Sequence, residues 1–386
     1  MNLHRIFLFV TAFISFFFSL NISAATVIDN NAPTVFLRTT CTEAGGSVSI
    51  NNCFTDLATL NNWVFNLRNP APSVDSPVLV EIGPGQFNGN FVCSDSGYVT
   101  LRGSGMQSTI INAAVYPVAM TNCKNMTFMN MTLKTGSLGV QGGGSVSFWH
   151  DVEIDAGGFY AWFDSGANGA CYGPKGKHYW FNSRITGRGT SPGSTTYQSA
   201  CDESWFFGSE ITKVASGTAG SEYAVTSLKK RGETHIYGGV VRVISQGTAS
   251  ATTLVAIHAE NTGIVHVHGT GIDAIGSGAN PIVALSAITN GEIHGNQAAY
   301  NLSTGAGGTV TRILNNGGHV HAPYVWQEHP QPPNINSQNG ADMTVQTGCA
   351  ANGCQSAGTE THLLIYNNNC TGTGGPWFDV VTRACR

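Results

Sequence analysis

Trp180-Phe181-Asn182 with Ile185, Phe206-Phe207-Gly208 with Ile211, Ile236-Tyr237-Gly238 with Val241, Val267-His268-Gly269 with Ile272, Ile293-His294-Gly295 with Ala298, and Val320-His321-Ala322 with Val325 repeat one short pattern. Each unit reads apolar, outward, then a turn-forming or small residue, with another apolar residue four positions after the outward one. The outward residues 181, 207, 237, 268, 294 and 321 are spaced by 26, 30, 31, 26 and 27, and earlier versions fall at Leu101, Met129 and Trp149. Each unit is a short strand with period-two alternation, broken by Gly or Asn where the chain must turn. No helix-length pattern intervenes, so a doubly wound α/β sheet, which needs crossover helices, is disfavoured. The spacing predicts an all-β chain: a right-handed, single-stranded parallel β-helix whose coils stack at about 4.8 Å. A propeller, with periods of about 40 to 50 residues, fits less well.

Composition agrees. The chain has 386 residues, 48 of them Gly, and only 10% are charged. Helix bundles and coiled coils need charged faces and are excluded. The net charge of −4, without a run of either sign, lacks the basic footprint of a nucleic-acid binder. Arg5, the apolar run Ile6 to Leu20 and the small residues Ser23-Ala24-Ala25 form the layout of a secretory signal peptide over residues 1–25. No other apolar stretch approaches bilayer length, so a secreted chain with no retained membrane segment is expected.

All ten cysteines lie beyond residue 25, and an even count in an exported chain argues for disulfides. Cys349 and Cys354 have no second pair or His at zinc-ligand spacing. Cys93 to Cys123 and Cys171 to Cys201 are each separated by 30 residues, one coil, and are expected to bridge neighbouring coils. Cys41–Cys53, Cys349–Cys354 and Cys370–Cys385 are then local bridges. Sequence spacing alone leaves the connectivity open.

Solenoid ends need covering. Over residues 26–77, Thr55-Asp56 can cap a helix whose stripe is Leu57, Leu60, Val64 and Leu67, with Pro70 as its stop. The β-helix is expected over 78–329. Pro330-Gln331-Pro332-Pro333 then opens a cap or attachment module over 330–386 that carries four cysteines.

The stretches Val78-Leu79-Val80-Glu81-Ile82-Gly83-Pro84-Gly85-Gln86-Phe87, Val99-Thr100-Leu101-Arg102-Gly103-Ser104-Gly105 and Thr109-Ile110-Ile111 resemble the opening coils of pectin lyase-fold proteins, pectinesterases especially. The resemblance implies a parallel β-helix acting on extracellular, uronate-containing polysaccharide. It does not extend to the family's catalytic steps. Pectinesterases carry an acid and a nucleophilic Asp on successive rungs, and the positions here are Gly158-Phe159-Tyr160 and Ser194-Thr195-Thr196-Tyr197, without an Asp. The Asp-bearing steps of polygalacturonases are absent as well. Fold likeness alone does not carry an activity.

Several constellations are candidates for chemistry. Asp202 and Glu203, following Cys201, could face Arg184 and Arg188 of the preceding rung. Carboxylates would then do proton work while Arg grips a uronate. Lys177, in a Gly-Pro-Lys-Gly-Lys loop beside Lys175 and His178, is a candidate base or enolate stabiliser; Lys229-Lys230-Arg231 is a second basic turn. Asp151, Glu153 and Asp155 alternate and would share a face able to take Ca²⁺, though calcium wants six to eight oxygens. His235, His266 and His319 are expected in one outward column, with His268, His294 and His321 in the next. The second column would continue Phe181, Phe207 and Tyr237, a ladder whose flat faces could take sugar rings; metal binding between the columns is the alternative. Each set also has a plainer reading as a solvated strand, an ion pair or stacked rings.

These features describe a secreted, pectin lyase-like β-helix that engages polysaccharide and could cleave or de-esterify it, with no cofactor firmly indicated and Ca²⁺ the candidate ion. The rival is a non-catalytic surface, adhesion or structural β-helix. An enzyme should gather Arg184, Arg188 and Asp202 into one groove, whereas a spacer should scatter them.

Overall fold

The computed structural model describes residues 34–41 and 53–322, except 165–170, 172, 218, 229–230, 247–251 and 297. Beyond 322 it describes strand segments at 325–327, 335–338, 342–345, 362–366, 377–379 and 384–385. The signal-peptide reading, the local pair Cys349–Cys354 and the Cys370–Cys385 bridge lie outside what is described. Among the described residues, no helix is long and apolar enough to cross a membrane.

The chain is a parallel β-solenoid. Each coil in its middle contributes two strands to a large sheet and one to a facing sheet. In one coil these are Lys177–Phe181, Arg184–Gly187 and Thr195–Ser199; in the next, Glu203–Phe207, Glu210–Ala215 and Gly220–Leu228. Every strand pairs in parallel with its counterpart one coil on, for example Trp180 with Phe206 and Ile185 with Ile211. Pairing proceeds past Pro330–Pro333: Ile335–Gln338 pairs with Val310–Asn316, and His362–Tyr366 with Asp342–Val345. Among the described strands, antiparallel pairing comes at Trp377–Asp379, which runs antiparallel to His362–Tyr366 and to Ala384–Cys385.

The repeat's turn position has a direct backbone cause. Asn182, Gly208, Gly238 and Gly269 lie in the left-handed region at φ 47°, 59°, 67° and 58°. Each bends the chain from the first strand of its coil into the second, which suits Gly and Asn and strains other residues. Between bends, alternate side chains point into a continuous core. Its centre is a stack of Phe128, Trp149, Trp180 and Phe206, with centroids 4.1, 4.6 and 5.6 Å apart. Trp162 and Tyr197 meet that stack edge-on from the facing sheet. Trp149 and Leu101 are therefore inward, fully buried residues, not members of the outward series. His150 holds the outward place in that coil, because it pairs with Phe181.

Near the start, Leu57–Asn62 is α-helical, and Asp56 caps it by accepting the Thr59 amide at 2.7 Å. Leu57, Leu60 and Val64 are fully buried in the same core as Val35 and Val80. Leu67, the fourth residue of the expected stripe, is 65% exposed. The last turn, Trp63–Leu67, closes with an i→i+5 bond from Arg68 N–H to Trp63 C=O, and the wider turn rotates Leu67 off the buried face. Cys41–Cys53, Cys93–Cys123 and Cys171–Cys201 are bonded as expected.

Candidate functional site

Two columns of rings run side by side along the outer face of the first strands. One contains Phe148, Tyr179, Trp205, His235, His266, His294 and His321, with successive centroids 5.1, 4.8, 5.3, 4.5, 4.9 and 5.2 Å apart. The other, two residues further along each strand, contains His150, Phe181, Phe207, Tyr237 and His268 at 4.6, 5.1, 5.5 and 4.9 Å.

The histidine columns expected from sequence are thus corrected. His294 and His321 continue His235 and His266, not His268, and His319 lies opposite Glu292. A shift of two residues keeps every side chain on its own face, so alternation cannot detect it. The misleading feature is Ile293-His294-Gly295, which looks like Val267-His268-Gly269. Gly295 is not a bend residue; it pairs with Val267 inside the strand.

The ring geometry also corrects the expected flat sugar platform. Neighbours within a column lie within 3 to 14° of parallel, so each ring covers the faces of the next. With the faces covered, the columns offer ring edges, whose polar atoms are Tyr hydroxyls, the Trp205 indole nitrogen and imidazole nitrogens, His235 Nε2 among them being buried. These donate and accept hydrogen bonds. Tyr237 is the most open, at 38% exposure.

A third row, two residues before the first column, carries charge. Register places Lys177, Glu203 and Glu233 on consecutive strands. Lys175 Nζ lies 2.8 Å from Glu233 Oε2 and 3.7 Å from Glu203 Oε2, while Lys177 Nζ is 3.9 Å from the latter. Lys177 also stands 5.3 Å over the Trp205 ring. Glu233 Oε1 is 3.1 Å from His235 Nε2 and 3.5 Å from His266 Nε2, and Glu203 Oε1 is 3.5 Å from His235 Nε2. The Glu233, His235 and His266 donor atoms all lie within 4.8 Å of one another, a grouping that could hold a metal ion. It lies along one column and its acidic row, not between the two columns. Burial, with His235 and His294 alongside, pushes the His266 pKa down to about 4 against the opposing pull of Glu233. His266 is therefore neutral near pH 7. Burial is the largest influence on Glu233 and works upward, but Lys175, His235 and His266 together outweigh it and hold the carboxyl below its ordinary range.

The catalytic candidates do not converge. Arg184 pairs with Glu210 at 3.3 Å and Glu153 at 3.6 Å, and Arg188 with Asp155 at 2.7 Å. Both arginines are about half exposed on the second strands' outer face. Asp202 is completely buried. Its carboxylate accepts the Gly144 and Gly176 amides at 2.7 Å each and meets His178 Nε2 at 3.2 Å. His178 in turn contacts Ser147 Oγ at 2.8 Å, which accepts from the Trp149 indole. Glu203 and Lys177 do share the ring-bearing face. The calcium set is divided as well: Asp151 occupies the bend at φ 52°, while Glu153 and Asp155 are already matched by arginines.

Sequence reading missed three features. Phe148, Tyr179 and Trp205 belong with the histidines, and the signal for this is that they precede the repeat's outward residues by two. Glu233 is the second, and its signal is the Glu-x-His spacing that Glu233-Thr234-His235 and Glu292-Ile293-His294 share. Asp164 is the third. It is buried beneath Cys201 and accepts the amides of Ala200, Cys201 and Asp202 at 2.7, 3.2 and 2.9 Å. Burial and nearby Asp202 push its pKa up to about 6, against those amides and His178.

No family model matches the chain, and a search of curated proteins finds no match. Among solved structures, the fold is similar to the A-module of a mannuronan C-5 epimerase from Azotobacter vinelandii. The identity is 13%, the match covers 74% of this chain and 92% of that one, and the TM-score is 0.25.

Proposed function

We propose that this protein is a secreted β-helix that binds a linear polysaccharide lengthwise along its ring-bearing face. The observation that carries the reading is the continuous first column, seven rings on seven consecutive strands, with a row of Lys and Glu beside it. Six steps of about 4.8 Å give a straight track of about 29 Å. A repeat scaffold offers such extended surfaces without moving parts. Phe181, Phe207, Tyr237 and His268 form the track's second edge, and His294 and His321 extend the first. Recognition would come from ring edges and carboxylates bonding sugar hydroxyls, with Lys175 and Lys177 as the cations nearest a uronate.

Binding is favoured over cleavage because Asp202 faces inward and Arg184 and Arg188 sit elsewhere, each already paired. If there is a reaction, Glu203 and Lys177 are the groups on this face to carry it. A glycan array probed with the full chain tests the proposal. Uronate-rich glycans should be retained, and Tyr237→Ala should weaken binding roughly tenfold, as truncation of an aromatic anchor does. An array without signal would leave the non-catalytic spacer or adhesion reading. Reducing-sugar, methanol-release and unsaturated-product assays on the bound glycans separate binding from turnover.

A further inference from the structure

We propose that Glu233, His235 and His266, with Glu203 beside them, form a binding site for a borderline divalent cation of the Zn²⁺ type, joining two consecutive coils of the solenoid. Zinc takes imidazole nitrogen and carboxylate oxygen at roughly 2.0 to 2.2 Å in tetrahedral geometry. Donors around such an ion stand about 3.4 Å apart, from those bond lengths. The separations here are 3.1 Å from Glu233 Oε1 to His235 Nε2, 3.5 Å from Glu233 Oε1 to His266 Nε2, and 3.5 Å from Glu203 Oε1 to His235 Nε2. The Glu233, His235 and His266 donor atoms all lie within 4.8 Å of one another, contributed by two neighbouring strands whose register holds them together, and Glu203 Oε1 approaches the trio at His235.

Two further observations point the same way. His235 Nε2 is buried and has no hydrogen-bond partner, although Glu233 Oε1 is only 3.1 Å away. A buried polar nitrogen without a partner is costly and calls for an explanation. A cation between these groups supplies one. In addition, the carboxylates are divided by oxygen. Lys175 and Lys177 approach Oε2 of Glu203 and Glu233, while Oε1 of each faces the imidazoles. That is the outer-shell support that orients ligating carboxylates. Three protein donors leave the fourth tetrahedral position to water. The site's two coils lie in the middle of the ring track. The inference about the ion stands whether or not a glycan binds there.

Chelator-treated, full-length protein dialysed against ZnCl₂ should retain one zinc per chain by elemental analysis, and zinc should raise its thermal midpoint. Co²⁺ in place of Zn²⁺ should give the intense visible bands of a tetrahedral centre. His235→Ala and His266→Ala should weaken zinc binding by on the order of 100-fold or more, since each removes a ligand. Glu233→Gln keeps the side-chain volume and should weaken zinc binding as well, which keeps the test available where an alanine variant fails to fold. Lys175→Met should weaken it roughly 10-fold, as loss of outer-shell support does. His294→Ala, in the same column but outside the three, should bind zinc as the parent does. Substoichiometric zinc in the parent, or equal binding by the parent and the folded His266→Ala or Glu233→Gln variants, would overturn the assignment. Loss of glycan binding with zinc retained would instead fail the functional reading alone.

Discussion

Asp202 and Asp164 show how a carboxylate that looks catalytic in sequence can be structural. Both are fully buried, and between them they accept five backbone amides from Gly144, Gly176, Ala200, Cys201 and Asp202. Asp202→Ala would leave the Gly144 and Gly176 amides and His178 without an acceptor. Each such group costs about 1 to 3 kcal/mol, so a loss of at least about 3 kcal/mol in urea unfolding is expected. Asp164 adds a pH dependence. Its pKa is about 6 in the folded chain against the ordinary 3.8, so across that window the native state binds more protons than the unfolded chain. Its contribution to stability is then greatest below pH 4 and declines as pH rises through 6. Asp164→Asn lowers stability throughout, because its amide nitrogen faces donors such as the Asp202 amide, but it should flatten the slope between pH 4 and 6. Parallel pH–stability profiles of parent and variant would contradict this. Neither role was legible in sequence. Each depends on amides 26 to 58 residues away that only coil stacking delivers.

At the scale of the strand, the bend between the first and second outer strands is the decisive element, and Gly238-Gly239 allows it to be dissected. Both glycines have positive φ, 67° and 73°. A Cβ on Gly238 meets nothing within 4 Å, whereas one on Gly239 would lie 2.0 Å from the Ser209 carbonyl oxygen of the preceding coil. Gly238→Ala should therefore cost only left-handed strain, about 1 to 2 kcal/mol. Gly239→Ala adds a backbone collision and should cost at least about 2 kcal/mol more. Equal thermal midpoints for the two variants would mean that coil separation is not fixed at this bend. The same element explains what was legible. Asn182, Gly208, Gly238 and Gly269 mark true bends, so the spacings of 26, 30 and 31 between residues 181 and 268 match the register. Gly295 mimics a bend two residues early, and the histidine columns slipped there. Alternation sees inside from outside, but a column is a statement about register.

Strand pairing joins each described coil to its neighbours, and side chains such as Lys175 and Asp202 reach no more than two coils, so a local cross-link should have a local signature. Cys171–Cys201 joins adjacent coils with a Cα–Cα distance of 5.3 Å and a sequence separation of 30. Its spacing of one coil was readable in sequence because the repeat supplied the ruler. What could not be read is the setting: Cys201 sits between Ala200 and Asp202, whose amides, with its own, bind the Asp164 carboxylate. Replacing both cysteines with serine releases a closed loop of about 30 residues, worth about 3.5 kcal/mol by loop-closure entropy. The two parts of the chain should not share that loss equally. Native-state hydrogen exchange should quicken most for amides around Lys177–Phe181 and Glu203–Phe207, the strands flanking the bridge. Val265 to Val267 and Ile293, two and three coils further on, should keep nearly the parent's protection, because their stability comes from their own interfaces. If protection instead falls uniformly along the solenoid, the stack unfolds as one cooperative unit and the nearest-neighbour picture is wrong. If it falls only near the bridge, the ring-bearing coils from His235 onward form a platform whose rigidity does not depend on the disulfides.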